Sequence, residues 1–129
     1  MKLKGVKQLE RDALLRISSG SEYGGGIRHF DGLDAERLRA LVDGGHAYPT
    51  ECQNASPSIA EFLDFMTAHP GMLAHGYAVH YSRPDYRTSI EGLDYEGPVT
   101  EELARRFRAA FAEADDLVVD KNHLHCWYD

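Results

Sequence analysis

The chain has 129 residues, a formal net charge of -7 and 43% hydrophobic side chains, which together predict one folded domain rather than a disordered chain. Its 14 Lys and Arg face 21 Asp and Glu, so general binding to nucleic acid is not expected, because that requires cations to neutralise phosphates. No run approaches the roughly 18 apolar residues of a membrane span, and the first residues lack the apolar core of a signal peptide. Since Cys52 and Cys126 form no disulfide framework, we expect a cytoplasmic protein.

The first two predicted elements are amphipathic helices. Apolar residues at helical spacing predict the first helix over residues 6–17. Residues 20–32 follow as a glycine-rich connection. Asp34 is a suitable N-cap for the second helix. The apolar stripe of that helix recurs at i, i+3 and i+4, as Leu38, Leu41 and Val42.

The third and fourth helices have clearer boundaries. Ser56 is the predicted N-cap of the third, and Pro57 suits its first helical position. This helix has to end by His69, because the Pro-Gly that follows cannot continue it. The fourth helix begins at Thr100 and carries apolar residues on one side, with two Glu–Arg pairs spaced i,i+4 on the other.

Two hairpins complete the predicted elements. Residues 76–81 and 86–91 alternate in polarity around turn residues 82–85, and residues 117–120 and 123–128 flank a two-residue turn. The order is therefore three helices, a hairpin, a helix and a hairpin. We expect an α+β domain in which the hairpins join in one antiparallel sheet packed on helices.

The hairpin registers also predict which side chains share a face, since side chains alternate along a strand. In the first hairpin we expect Tyr77, Val79 and Ile90 to face the helices. In the second, Leu124 and Cys126 should do so. The opposite, solvent-facing side, here named the open face, should then collect polar and aromatic groups. This candidate binding surface consists of His80, Arg87, Ser89, Glu91, His123, His125 and Trp127.

Three of these side chains form an alternative metal site. His123 and His125 lie two residues apart on one side of a strand, and His80 could supply a third imidazole. Glu91 is then a further ligand or a general base. No HExxH or CxxC spacing, phosphate-binding glycine motif or GxSxG is present. We therefore predict no cofactor and no catalytic residue, and the sequence favours a protein that is not an enzyme.

The helix–helix–helix–hairpin order is similar to that of winged-helix DNA-binding domains. The resemblance is one of element order alone and implies that the third helix would enter the major groove. The exposed side of that helix carries Glu61, Asp64 and Thr67 and no Lys or Arg. Such a surface repels phosphate and lacks the usual partner of guanine.

Three functional hypotheses follow. The first is a non-enzymatic protein-binding or regulatory module, of the adaptor or immunity-protein kind, whose acidic surface recognises a basic protein. Its candidate contacts include Glu61, Asp64, Asp94 and Glu96. The second is a metal- or small-ligand-binding protein, or a metal-assisted enzyme, that uses the histidines of the open face. The third is a winged-helix-like DNA-binding protein.

Overall fold

A computed structural model describes residues 4–18 and 23–129. Within them the chain forms four helices and five strands, and the predicted α+β class is confirmed. The helices are α1 (Lys4–Leu15), α2 (Ala35–Asp43), α3 (Ile59–Ala68) and α4 (Glu101–Ala110). The strands are β1 (Ile27–Leu33), β2 (Leu73–Val79), β3 (Thr88–Glu96), β4 (Asp116–Val119) and β5 (His123–Trp127).

The five strands form one antiparallel sheet in the order β1-β2-β3-β5-β4. The two predicted hairpins therefore do join, through the pairing of β3 with β5. Strand β1 lies in the segment predicted to be a glycine-rich connection, and that prediction was wrong. Its inward residues, Phe30 and Leu33, are three positions apart because the pairing with β2 is irregular between them. The irregularity removes the two-residue period by which a strand is recognised.

Short-range hydrogen bonds set where the helices begin. The side chain of Asp34 accepts from the backbone N–H of Arg37 at 2.8 Å, and Thr100 caps α4 in the same way. The predicted cap of α3 was wrong by two residues, because Ser58 and Glu61 form a capping box there. Ser56 instead accepts from the N–H of Gln53 at 2.7 Å, in the loop before the helix.

The predicted faces of β2 were also wrong. Tyr77 lies opposite Ser89, and Ala78 lies opposite Thr88. This pairing differs by one residue from the predicted register, and a one-residue slip moves every side chain of one strand to the other face. Ala78 therefore lies in the core, and Tyr77 shares the open face with Ser89.

The helices pack against one face of the sheet. Phe107 and Phe111 of this layer are 0% and 2% exposed, and the ring of Phe111 stacks on Phe62 at 5.7 Å between centroids. Leu124 and Cys126 of β5 are buried on the same face, as the second predicted hairpin requires. None of the helices in the described ranges is long and apolar enough to cross a membrane.

A buried arginine ties α1 to the connection between β2 and β3. The side chain of Arg11 is 0% exposed and donates to the backbone carbonyls of Val79 (2.8 Å) and Arg87 (3.1 Å). It also donates to Asp12 and to the hydroxyl of Tyr23, which itself donates to Asp12 at 2.6 Å. Burial and the hydrogen bond to Asp12 raise the pKa of Tyr23. Arg11, Asp12 and Tyr23 are called the Arg11 anchor below.

Candidate functional site

The open face is the side of the sheet that the helices leave uncovered. Residues paired directly across two strands point to the same face, so the pairings identify its members. They fall into two groups. The first, the Arg87 network, consists of Glu51, Tyr77, Arg87 and Ser89. The second, the histidine cluster, consists of His75, Asp94 and His125, and Asp116 lies beside it.

His80 belongs to neither group. It follows the end of β2, where its Nδ1 lies 2.8 Å from the hydroxyl of Ser82 and its ring packs on Tyr23. His125 instead pairs with Asp94, near the far end of β3. At about 3.3 Å per strand residue, this places His80 on the order of 20 Å from His125. The structure therefore does not bring the predicted metal ligands His80, His123 and His125 to one point.

The Arg87 network fastens a loop to the sheet. Arg87 donates to the hydroxyl of Tyr77 at 2.7 Å and to that of Ser89 at 3.2 Å. Ser89 in turn donates to Glu51 at 2.8 Å, and Glu51 comes from the loop over residues 44–58. Burial raises the pKa of Glu51, an effect that the hydrogen bond from Ser89 and the charge of Arg87 oppose. These polar groups form hydrogen bonds with one another, so the network has a structural role and holds the loop against the sheet.

Glu91 lies between the two groups. It is an extra residue of β3, because Ile90 and Gly92 on either side of it pair with consecutive residues of β2. Its Oε1 lies 3.6 Å from Nδ1 of His29 on β1, and the ring of His29 is mostly exposed. Through this pair, the edge strand β1 contacts the polar residues of the open face.

The histidine cluster brings together side chains from three neighbouring strands, β2, β3 and β5. Asp94 lies between two imidazoles, with Oδ1 at 2.6 Å from Nδ1 of His125 and Oδ2 at 3.6 Å from Nε2 of His75. One ligand atom from each of the three residues lies within 4.8 Å of the others. The imidazole rings are nearly parallel, with centroids 5.5 Å apart.

Neighbouring groups hold both rings in place. Nε2 of His125 lies 3.3 Å from Asp116 on β4, and Nε2 of His75 lies 3.1 Å from the carbonyl oxygen of Cys126. Gly92 lies beneath His75. A Cβ there would stand 2.8 Å from Nε2 of His75 and 1.8 Å from the Cys126 oxygen, so a glycine is required.

Two residues predicted from the sequence border the cluster. Nε2 of His123 lies 3.4 Å from Glu96, and its ring centroid is 6.4 Å from that of His125. Trp127, the single tryptophan of the chain, lies directly opposite Gly92. His125 is the only predicted site residue inside the cluster itself.

Sequence reasoning missed His75, Asp94 and Asp116. His75 lies one residue before the predicted strand over 76–81, whereas β2 begins at Leu73, just after the turn that ends α3. Alternation puts His75 on the same face as Tyr77, so it could have been found only with the correct register of β2. No pattern in the sequence marks Asp94. The irregularity at Glu91 adds one residue to β3, so strict alternation through Glu91 predicts that Asp94 faces the helices instead of the open face. Asp116 meets His125 only through the pairing of β4 with β5.

The side chains of the cluster are partly exposed to solvent. The side chains of His75, His125 and Asp94 are 14%, 23% and 38% exposed. Two imidazoles and a carboxylate in this setting can share protons with one another or donate lone pairs to a cation. No protein-family model, curated protein or solved structure matches the chain. The function is therefore inferred from the chemistry of these residues.

Proposed function

We propose that this protein binds a divalent transition metal ion, of the zinc class, on the open face of its sheet. The observation that carries the proposal is the convergence of His75, Asp94 and His125, whose ligand atoms lie within 4.8 Å of one another. Two imidazoles and a carboxylate are a donor set that zinc and its neighbours in the first transition row accept.

The spacing of the donors is close to what such an ion needs. A tetrahedral ion with ligands at about 2.0–2.1 Å has donor atoms roughly 3.3 Å apart. The Asp94 oxygens lie 2.6 Å from His125 and 3.6 Å from His75, on either side of that value. The separations among the three ligand atoms, all within 4.8 Å, exceed that value by no more than about 1.5 Å, so small side-chain shifts would complete the site.

The surroundings of His125 support the same function. A metal-binding histidine commonly donates its second ring N–H to a carboxylate, which fixes the tautomer and the ring direction. Asp116 is placed for this role at Nε2 of His125, while Nδ1 faces Asp94. His75 Nε2 and His125 Nδ1 would hold the ion in place of their contacts with Cys126 and Asp94, and any proton on these nitrogens would move to the other ring nitrogen or to solvent.

Three protein ligands leave one position of a tetrahedral ion for water or for a donor atom of another molecule. The partial exposure of Asp94 gives such a molecule access. We place the protein in the cytoplasm, where the free thiols of Cys52 and Cys126 would stay reduced.

The test is a titration of tag-free, chelator-treated protein with zinc by calorimetry, and with cobalt by visible absorption. One ion should bind per chain and should change the fluorescence of Trp127. His75→Ala and His125→Ala should each weaken binding more than about 100-fold, and Asp116→Asn should weaken it by about 10-fold, the range for a residue that orients a ligand.

His80→Ala and His29→Ala are the matched controls, because both remove an imidazole outside the cluster and should leave the affinity unchanged. The proposal fails if the unaltered protein takes up no ion at micromolar concentrations. It also fails if His75→Ala and His125→Ala bind as well as the unaltered protein.

A further inference from the structure

The helix layer, on the other side of the molecule from the histidine cluster, carries a groove between α3 and α4. Its volume is about 620 Å³, within the usual range of roughly 300–1,000 Å³ for ligand sites. On α3 its lining runs from Glu61 to Ala68, about 10 Å or two helical turns, and on α4 it covers only the last turn, from Arg106 to Ala110.

The floor of this groove is apolar. The ring of Phe65 lies over Phe111 with centroids 5.0 Å apart. Ala68 of α3 and Ala109 and Ala110 of α4 line the space above the rings and are exposed. Phe111 is already covered at 2% exposed, whereas Phe65 is partly exposed. Phe65 and these methyl groups are therefore the apolar surface that the groove offers to side chains of another molecule.

The rim of the groove is acidic on the α3 side. Glu61 and Asp64 are both exposed there, and the side chain of Asp64 makes no hydrogen bond or ion pair with the described residues. On the α4 side Arg106 is held by Glu102 at 2.9 Å and 3.1 Å, which offsets its charge, while Arg105, outside the groove lining, lies 3.8 Å from the same carboxylate. A ligand thus meets unbalanced negative charge beside an apolar floor.

We propose that this groove binds a basic amphipathic helix of a partner protein. Its apolar side chains would cover Phe65 and the alanines, while its Lys or Arg side chains face Glu61 and Asp64. A helix suits the groove better than an extended strand, because the backbone groups along the middle of α3 and α4 are bonded within those helices and a helix likewise satisfies its own. The formal charge of -7 favours the same partner through long-range attraction.

The structure also separates the four acidic residues first grouped as partner contacts. Glu61 and Asp64 lie on the rim of the groove, whereas Asp94 and Glu96 lie beside the histidines of the open face. The partner surface is therefore limited to α3 and α4. It is independent of metal binding, and each proposal can fail alone.

The probe is a synthetic helical peptide of about three turns with leucine on one face and lysine on the other, labelled for fluorescence anisotropy. A second peptide has glutamate in place of every lysine. The lysine peptide should bind at least about tenfold more tightly than the glutamate peptide, and its affinity should fall as salt screens the charges.

Asp64→Lys and Ala109→Arg should each weaken binding of the lysine peptide more than about tenfold, because the first reverses the rim charge and the second fills the groove. Asp120→Lys makes the same charge change as Asp64→Lys at an exposed site between β4 and β5, outside the groove, and should leave binding within about twofold. The proposal is overturned by equal binding of the two peptides, or by equal losses in Asp64→Lys and Asp120→Lys.

Discussion

The Arg11 anchor and the histidine cluster are both polar groups held by the sheet, yet their environments differ sharply. Arg11 is 0% exposed, and its guanidinium donates to two carbonyls, a carboxylate and a hydroxyl. His75 and His125 remain partly exposed, and their ring nitrogens could leave their present partners and bind other groups. An arginine cannot lose its proton, so burying it requires a complete set of acceptors. An imidazole can give up a proton to take a cation, so the same sheet can hold a structural group and a binding group.

The largest effect should come from the anchor. Arg11→Met should lower the free energy of unfolding by about 3–5 kcal/mol, the usual loss when one member of a buried charged pair is removed. The carbonyls of Val79 and Arg87 would lose their donor, and Asp12 would keep only the hydroxyl of Tyr23. Urea unfolding followed by circular dichroism measures the change.

Arg106→Met is the control for that experiment. It removes an arginine from an exposed i,i+4 pair with Glu102, for which a loss of about 0.3–0.5 kcal/mol is usual. Similar losses for the two variants would show that the anchor contributes no more than a surface pair.

The histidine cluster, in contrast to the Arg11 anchor, should contribute little to stability unless a metal ion is bound. His125→Ala should destabilise the metal-free protein by less than about 1 kcal/mol, as is usual for a partly exposed pair. Zinc at 100 times its Kd should stabilise the unaltered protein by about 2.7 kcal/mol and the variant not at all. Thermal unfolding with and without zinc measures both. A variant that is already unfolded without metal would show that the cluster is structural, like the anchor.

The smallest effect concerns Glu51, whose pKa is raised mainly by burial. Because the folded state keeps the proton to higher pH, the stabilising contribution of Glu51 is full below the ordinary glutamate pKa and declines as pH rises through the raised one. The difference in unfolding free energy between the unaltered protein and Glu51→Gln should therefore shrink as pH rises above the ordinary glutamate pKa.

Glu102→Gln should show the reverse pH trend. Hydrogen bonds from Arg106 lower the pKa of the exposed Glu102, so its contribution is present above the ordinary pKa and is lost as pH falls through the lowered one. Parallel trends for Glu51 and Glu102 would contradict the assignment of burial as the dominant effect at Glu51.

Much of the fold could be predicted because its signals are local. Asp34 caps the helix that it was expected to cap, and the fourth helix begins next to Thr100, within one residue of the predicted start, since both depend on residues three or four positions away. Strand β1 and the face of Tyr77 were not predictable in this way. Both depend on pairing with a distant strand and on irregularities that break the two-residue period.

The candidate site was only partly predictable for the same reason. His123, His125 and Trp127 were placed correctly on the open face, because β5 is regular and pairs with its neighbour in sequence. His75 and Asp94 needed the true bounds of β2 and β3. Arg11 lies within the first predicted helix and received no role, because nothing in a helical pattern marks a charge that the sheet will bury.

The order of the strands has a consequence for how the molecule folds. The hairpins β2–β3 and β4–β5 are local and can form within microseconds, whereas β3 and β5 must first close a long intervening segment. Asp94 and His125 are 31 residues apart in the chain and meet only when those hairpins dock. A nascent chain would therefore hold no assembled histidine cluster until β5 has emerged, and metal capture would report that the two hairpins have docked.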